Sequence, residues 1–466
     1  MNILQAMSDP ALFGPWFRKP ETWRTWRVFL AVLFGLLLSP DQVEVHRQCT
    51  GRPYPPPPGQ PVTEAWLICG RRAGKSFVLA LIAVFLACFR DYREYLQPGE
   101  RGTVVVIAAD KKQARTIMRY IRGMLTRIPM LKRRIERETA ESFDLTKSVS
   151  IEVGTASFRA ARGQTLIAAL CDELAFWHTD DSANPDYEIL DAIRPGMATI
   201  PNAMLLCASS PYAKRGALHD AHQRYFGKYG DVLVWKAPTR TMNPSVKQSL
   251  VDRAIERDPA AAASEWLAEF RNDIAAFVPC EVVQACVIAG ERERAWDPKY
   301  RYVAFVDPSG GSSDSMTLGI GHREGNMTVV DVIREIPAPF DPESATEEFV
   351  GVLKSYNIAS VTGDRYAGQW CQQAFAKRGI NYLPCETPKS GLYVDLLPKL
   401  NSKTIRIPDN PRLVNQLAAL ERRTARGGKD SIDHPPGGHD DIANSVAGVA
   451  HCAVNRHTVT VNPLGV

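Results

Sequence analysis

The ten cysteines of this 466-residue chain are scattered, with no C-x-x-C pair among them. That excludes a dense disulfide framework and points to reduced thiols in a cytosolic compartment. Zinc ligation has no more support. His219 and His222 stand three apart and His434 and His439 bracket a Pro/Gly stretch, but neither pair has a matched set of Cys or His partners, so exposed or locally hydrogen-bonded imidazoles are expected. No apolar run has bilayer length. VFLAVLFGLLL at 28–38 follows Arg24 and Arg27 without a small-residue cleavage site, and FVLALIAVFLACF at 77–89 is apolar all round but short. Both read as core or docking helices, with no membrane role. Charge is not extreme: a net +5 permits a polyanionic partner without demanding one. With 45% hydrophobic and 23% charged residues, the chain can bury two large cores in two or three domains.

What is present begins at 65–76, AWLICGRRAGKS. An apolar strand breaks into a Gly/Arg-rich turn that feeds an apolar helix, the form of an ATP-binding phosphate loop. Lys75 is expected to neutralise the β- and γ-phosphates and the Ser76 hydroxyl to sit on Mg²⁺. The N–H groups of Gly70, Arg71, Arg72, Ala73 and Gly74 would cradle phosphate oxygens. The match has one departure. In G-x-x-x-x-G-K-[ST] the first glycine falls on Cys69, and the nearest glycine is Gly70.

The punctuation divides the chain further. RPYPPPPGQP at 52–61 is a stiff polyproline stretch that closes an N-terminal helical region, 1–58. Between 59 and 275, strand-like runs at 65–69, 103–109, 165–170, 203–209 and 232–238 alternate with helical ones, the pattern of a parallel sheet wrapped by helices. A linker is expected at 276–295. Three strand-like runs at 302–306, 315–322 and 327–335 then open a second α/β domain, 296–453, with an antiparallel meander. A tail at 454–466 carries no readable motif.

LIAALCDELAFW puts Asp172 and Glu173 at the end of an apolar strand, on the sheet edge where the phosphate loop also emerges. Asp172 is expected to hold Mg²⁺ through its water shell and Glu173 to polarise the attacking water. The bland reading is a helix N-cap with an acidic first turn. The phosphate loop tips the balance. CASSPYAKRG offers Ser209 and Ser210 as γ-phosphate sensors that couple hydrolysis to neighbouring segments. Arg162, on a small-residue turn, is a candidate trans arginine finger, with Arg71 and Arg72 as rivals and a plain surface arginine as the alternative.

The second domain carries carboxylates at strand ends and a helix start: Asp307, Asp314, Asp364, Asp440 and Asp441. Each alone could be a turn or cap residue. Together they would repel unless cations neutralise them, and oxygen ligation suits two Mg²⁺ or Mn²⁺ ions acting in phosphodiester cleavage. Asp307, Asp364 and Asp441 are the expected catalytic ligands, with Asp440 and Asp314 supporting, because successive residues at a helix start point about 100° apart.

In order, GRRAGKS, CDE, ASSP, TMNPSV and a terminal HDD helix resemble the large subunit of a tailed-phage terminase, from about Gly51 to Ala453. The resemblance implies a P-loop ATPase motor followed by a ribonuclease H-like nuclease. It implies ATP-driven translocation of double-stranded DNA into a procapsid and metal-dependent cutting of concatemers, in the host cell cytoplasm. It implies a portal protein and a small terminase subunit as partners, and a homo-oligomeric ring on the portal, the isolated chain being monomeric. The basic runs Lys111 to Arg115, Lys132 to Arg137 and Arg422 to Lys429 are candidate DNA contacts, the last favoured for the nuclease, or simply solvated faces. A repair or defence helicase-nuclease would need further helicase motifs, which are missing. An integrating recombinase has no use for the motor, and an inactive portal-docking protein would not need the catalytic residue types.

Overall fold

The computed structural model describes residues 1–454 except 157–162, 178–181, 183, 313, 366–367 and 425–429. It divides into two compact units, one from Met1 to Asp273 apart from 180–183, the other from Ile274 onward. None of the described helices is long and apolar enough to cross a membrane.

The first unit is built on eight strands: β1 (Glu64–Cys69), β2 (Gly102–Ala108), β3 (Ile135–Glu138), β4 (Ser142–Leu145), β5 (Val149–Thr155), β6 (Thr165–Asp172), β7 (Met204–Ser209) and β8 (Val232–Ala237). Their order is β3-β4-β5-β2-β6-β7-β1-β8. From β5 to β8 every pairing is parallel, whereas β3–β4 and β4–β5 are antiparallel. The pleat sends alternate side chains to two separate cores. Ala65, Leu67, Val104 and Val106 join the helix Lys75–Phe89 on one face, and Trp66, Ile68, Val105 and Ile107 join the helices Pro185–Met197 and Ala217–Tyr225 on the other. Burial on both faces explains the near-continuous apolar strands.

Two boundaries differ from the sequence expectation. The helices Ile3–Ser8, Arg24–Leu33 and Pro40–Thr50 share the first unit's core and are not a separate region ending at 58. Phe29 meets the Trp235 ring edge-on with centroids 5.4 Å apart, and Phe34 meets Phe85 at 5.2 Å. The expected linker at 276–295 is structured and belongs to the second unit. There β9 (Ile274–Ala276) precedes a short helix, Cys280–Gln284, and β10 (Val287–Ile288), and the buried Phe277, Val278, Val283 and Cys286 help form that unit's core. The apolar sequence FVPCEVVQACVI cannot serve as a solvated tether without exposing those side chains.

The second unit continues with β11 (Tyr302–Asp307), β12 (Met316–Glu324), β13 (Met327–Ile336), β14 (Ser360–Gly363), β15 (Asn381–Pro384), β16 (Ile405–Pro408), β17 (Glu421–Thr424) and β18 (Asp430–Asp433). One sheet has the order β10-β16-β13-β12-β11-β14-β15, and β18-β17-β9 form a smaller one. β11, β12 and β13 make the antiparallel meander. β14 runs parallel to β11 with Val306 opposite Gly363, so Asp307 and Asp364 leave the sheet side by side. The helix Asp441–Cys452 lies flush on β11 and β12 because glycines leave it room. A Cβ on Gly448 would stand 2.0 Å from the Phe305 ring, and one on Gly319 would stand 2.9 Å from Val449. That close seat brings Asp441, at the helix start, to the end of β11.

Two candidate active sites

In the first unit, β1 lies beside β7 and β7 beside β6, so the carboxyl ends of three parallel strands deliver Lys75, Ser209 and Asp172 to one place. The loop between β1 and its helix has Arg72 at φ 63° and Gly74 at φ 102°, backbone that turns N–H groups inward. The departure at Cys69 has a structural reason. Cys69 closes β1, and the glycine is needed one place later: a Cβ on Gly70 would stand 2.2 Å from Thr239 Oγ1 and 2.8 Å from the Glu265 carbonyl.

Lys75 is only 5% exposed. Its ammonium donates to the Cys69 carbonyl at 3.0 Å and to Ser210 Oγ at 2.9 Å, and pairs with Glu173 Oε1 at 3.2 Å. Glu173 sits at φ 53°, a strained choice for a non-glycine residue. Its Oε2 accepts from the Ser210 N–H at 3.0 Å and from Ser209 Oγ at 3.3 Å. Ser76 Oγ donates to Asp172 Oδ2 at 2.8 Å. Burial first, then the neighbouring Glu173 charge, push the Asp172 carboxyl up to about 6. Its Oδ1 is buried with no hydrogen-bond partner, a free lone pair in a site otherwise satisfied. These groups border a cleft of about 570 Å³.

Several residues of this site escaped the sequence reading. Gln113 Nε2 donates to both Ser76 Oγ (2.9 Å) and Asp172 Oδ2 (2.7 Å); its only signal was its place just after β2, at the start of the helix Lys111–Arg127 capped by Asp110. Thr239 Oγ1 and Asn243 Nδ2 hold the Arg71 and Arg72 carbonyls, each at 2.8 Å, so Asn243 of TMNPSV and Thr239 just before that string clamp the loop. Trp26 Nε1 donates to the Ala73 carbonyl at 2.8 Å. Of the finger candidates, Arg162 lies outside the described residues. Arg71 pairs with Glu265 at 3.3 Å, and Arg72 is exposed on the cleft wall.

In the second unit, Asp307, Asp314, Asp364, Asp440 and Asp441 all border one cleft of about 490 Å³. Asp307 is held well above the usual carboxylate range, first by burial and then by the Asp441, Asp440 and Asp364 charges, against a hydrogen bond from Asn444. Asp441 is pushed up to about 6 by burial and by Asp440. Its Oδ2 accepts from the Ser315 N–H at 3.3 Å and its carbonyl from Thr317 Oγ1 at 2.7 Å. Asp314 lies at the exposed rim, 3.7 Å from His439.

Asp440 lines the same cleft and is engaged by protein groups. It occupies the N-cap position of the last helix without a side-chain capping bond, and its carboxylate turns into the protein. Oδ2 accepts from Tyr393 OH at 2.8 Å and meets Lys389 Nζ at 3.0 Å. Lys389, unmarked in the sequence, also pairs with Asp433 Oδ1 at 2.8 Å. Burial works to lower the Lys389 ammonium, but Asp440 and Asp433 outweigh it and raise it. Asp433, His434 and Asp440 bring ligand atoms within 4.8 Å of one another, yet the Lys389 ammonium already sits on both carboxylates.

The remaining expectations fare unevenly. The imidazole of His222 is neither solvated nor hydrogen-bonded: both ring nitrogens are buried without partners, and the ring stacks on Phe226 at 4.9 Å. Of the basic run Arg422 to Lys429, 425–429 lie outside the described residues. Arg422 pairs with Asp430, and Arg423 with Glu421 and the His434 carbonyl, so neither arginine is a free phosphate contact. Lys111, Lys112, Arg115 and Arg119 do form an exposed face on the helix after β2.

Fold and site together define an α/β unit with a phosphate-binding loop followed by a second α/β unit with an acidic cleft. Residues 67–184 match the family described as terminase large subunit, T4likevirus-type, N-terminal. No curated protein matches the chain. Among solved structures, the large terminase of bacteriophage HK97 is 14% identical over 92% of this chain and 100% of its own, at a TM-score of 0.38. The large terminase of a thermophilic bacteriophage is 12% identical over 84% of this chain and 94% of its own, at 0.37. The magnesium-bound large terminase nuclease of the thermophilic phage G20c is 16% identical over 38% of this chain and 98% of its own, at 0.34.

Proposed function

We propose that this chain hydrolyses ATP in its first unit to move double-stranded DNA and cuts DNA with divalent cations in its second. The observation that carries the motor half is the Lys75–Glu173 pair with Ser76, Gln113 and Asp172 beside it. Lys75 is already desolvated and needs an anionic partner; an incoming γ-phosphate can replace Glu173 in that place. Glu173, released from the ammonium, is then a free carboxylate held by Ser210, placed to orient water and accept its proton. Ser209 and Ser210 feel the exchange directly because Ser210 hydrogen-bonds both charges and Ser209 the carboxylate. Ser76 and Asp172, with its unpartnered Oδ1, fit a Mg²⁺ ion, which supplies charge neutralisation on the phosphates. Arg72 or Arg162 would supply the finger.

For the nuclease half, Asp307, Asp364 and Asp441 fit a divalent cation by their oxygen donors and by the burial, with neighbouring carboxylate charges second, that raises Asp307 and Asp441. Such cations activate water and stabilise the leaving oxygen in phosphodiester cleavage. The chain's own groups fix the acids. The Ser315 N–H and Thr317 hydroxyl hold Asp441, and Asn444 holds Asp307. We further assign a portal protein and a small terminase subunit as partners, a ring on the portal as the working assembly, and the host cytoplasm as location. The test separates the two halves: Lys75→Ala should abolish nucleotide binding yet leave Mn²⁺-dependent cutting of plasmid DNA, and Asp307→Asn should do the reverse. Loss of both activities in either variant, with the fold intact by circular dichroism, would reject two independent sites.

A further inference from the structure

The partly exposed Lys389 of the second unit is the group the terminase reading leaves unexplained. Lys389 opens the helix Lys389–Asn401, and its ammonium lies 3.2 and 3.0 Å from the two Asp440 oxygens and 2.8 Å from Asp433 Oδ1. Its neighbour Ser390 accepts the Ile432 N–H at 2.9 Å, so the same helix start fixes the strand β18 that supplies Asp433. Asp440 is 4% exposed and also holds the Tyr393 hydroxyl. Both of its oxygens are therefore engaged by protein donors.

We propose that Lys389 is the resident cation of this cleft. It is a positioning residue that neutralises Asp440 and Asp433 and removes Asp440 from the metal-ligand set, so that Asp307, Asp364 and Asp441 bind the divalent ion. The inference rests on the nuclease reading above and changes it: one side of the acidic cluster is balanced by an ammonium and not by a second metal. A buried carboxylate stripped of its only cation must find another. Replacing Lys389 with a neutral side chain of similar length should therefore create a divalent site where none was.

The test is a Mn²⁺ titration of the full chain without nucleotide, followed by electron paramagnetic resonance. Asp440→Asn should bind Mn²⁺ like the wild type, within about twofold, whereas Asp307→Asn should weaken binding by about 10-fold or more, as loss of a metal partner does. Lys389→Met should gain one additional bound Mn²⁺, Lys389→Arg should not, and Asp440→Asn placed on Lys389→Met should remove the gain. Equal loss in Asp440→Asn and Asp307→Asn would overturn the proposal and leave the nuclease reading standing. An unchanged Mn²⁺ count in folded Lys389→Met would also overturn it. Wild-type binding in Asp307→Asn would reject the cleft as a metal site altogether, and the role of Lys389 with it.

Discussion

Each unit sets one lysine against carboxylates, buried in the first and partly exposed in the second, and the two clefts differ in what balances the charge. In the first, Lys75 faces Glu173, two carbonyls and Ser210, while Asp172 is held by Ser76 and Gln113. This site is nearly self-satisfied and waits for an anion to take over its lysine. In the second, Lys389 is spent on Asp440 and Asp433, and Asp307 and Asp441 are left with raised affinities for protons. This site lacks positive charge. The difference teaches that the first cleft is organised before its ligand arrives, whereas the second should depend on its ligand for charge balance.

The sharpest way to break that contrast is Asp307→Asn. Cleavage with Mg²⁺ or Mn²⁺ should fall to background in a plasmid-nicking assay while ATP hydrolysis persists, because the substitution removes the charge central to the cation-dependent cleft. The same variant should lose the rise in thermal stability that saturating Mn²⁺ gives the wild type, about 2.7 kcal/mol at a hundredfold excess over Kd. Full cleavage in Asp307→Asn would end the comparison.

Next in size is Glu173→Ala, where hydrolysis should drop by about a hundredfold or more, the usual scale for removing a positioned base. Binding of a fluorescent ADP analogue should persist, because Lys75 keeps Ser210 and the Cys69 carbonyl. Unaltered turnover would return Glu173 to a capping residue. Gln113→Ala should do less. The Mg²⁺ concentration for half-maximal hydrolysis should rise by about 10-fold, the lower end for residues that orient metal ligands, with metal-free ADP binding unchanged. A fall in kcat without any change in Mg²⁺ dependence would make Gln113 a structural bridge only.

The sequence made the first cleft largely legible because its groups fall in contiguous strings: GRRAGKS after one strand and CDE after another. Gln113, Thr239 and Asn243 were hidden because their roles arise from tertiary approach. Thr239 meets the loop only because Gly70 lets the backbones close. Lys389 was hidden for the same reason, 51 positions from Asp440 in the chain. The partners of Asp440 were hidden because a helix start fixes a backbone direction but not which group captures the side chain. The linker at 276–295 was misread because the two-residue β10 and three-residue β9 are too short to show a period. The strands β3 and β4, four residues each, escaped for that reason too. Arg162 lies where the structure offers no description.

The smallest effect concerns pH, where the two units hold histidines of opposite tendency. His46 is fully buried against Trp235, with Nδ1 unpartnered; burial first, then Arg52, push its imidazole down to about 4. The folded form thus binds fewer protons than the unfolded chain, and stability is lost as pH falls from about 6.5 towards 4. Between pH 7.5 and 5 this amounts to about 2 kcal/mol, from the roughly 1.4 kcal/mol carried by each pKa unit. His322 in β12 is the converse. Burial works to lower it, but Asp331 at 2.6 Å and Glu324 at 3.1 Å raise it overall, so its contribution is complete below about 6.5 and lost as pH rises through the folded value. Amide exchange at about pH 7.5 and about pH 5.5 should therefore show protection of β8 falling on acidification while that of β12 and β13 holds or rises. His46→Phe should flatten the β8 response, since it removes the proton-binding group and keeps the ring. If β8 loses as much protection in His46→Phe as in the wild type, another group controls the acid sensitivity of the first unit and the contrast between the two histidines fails.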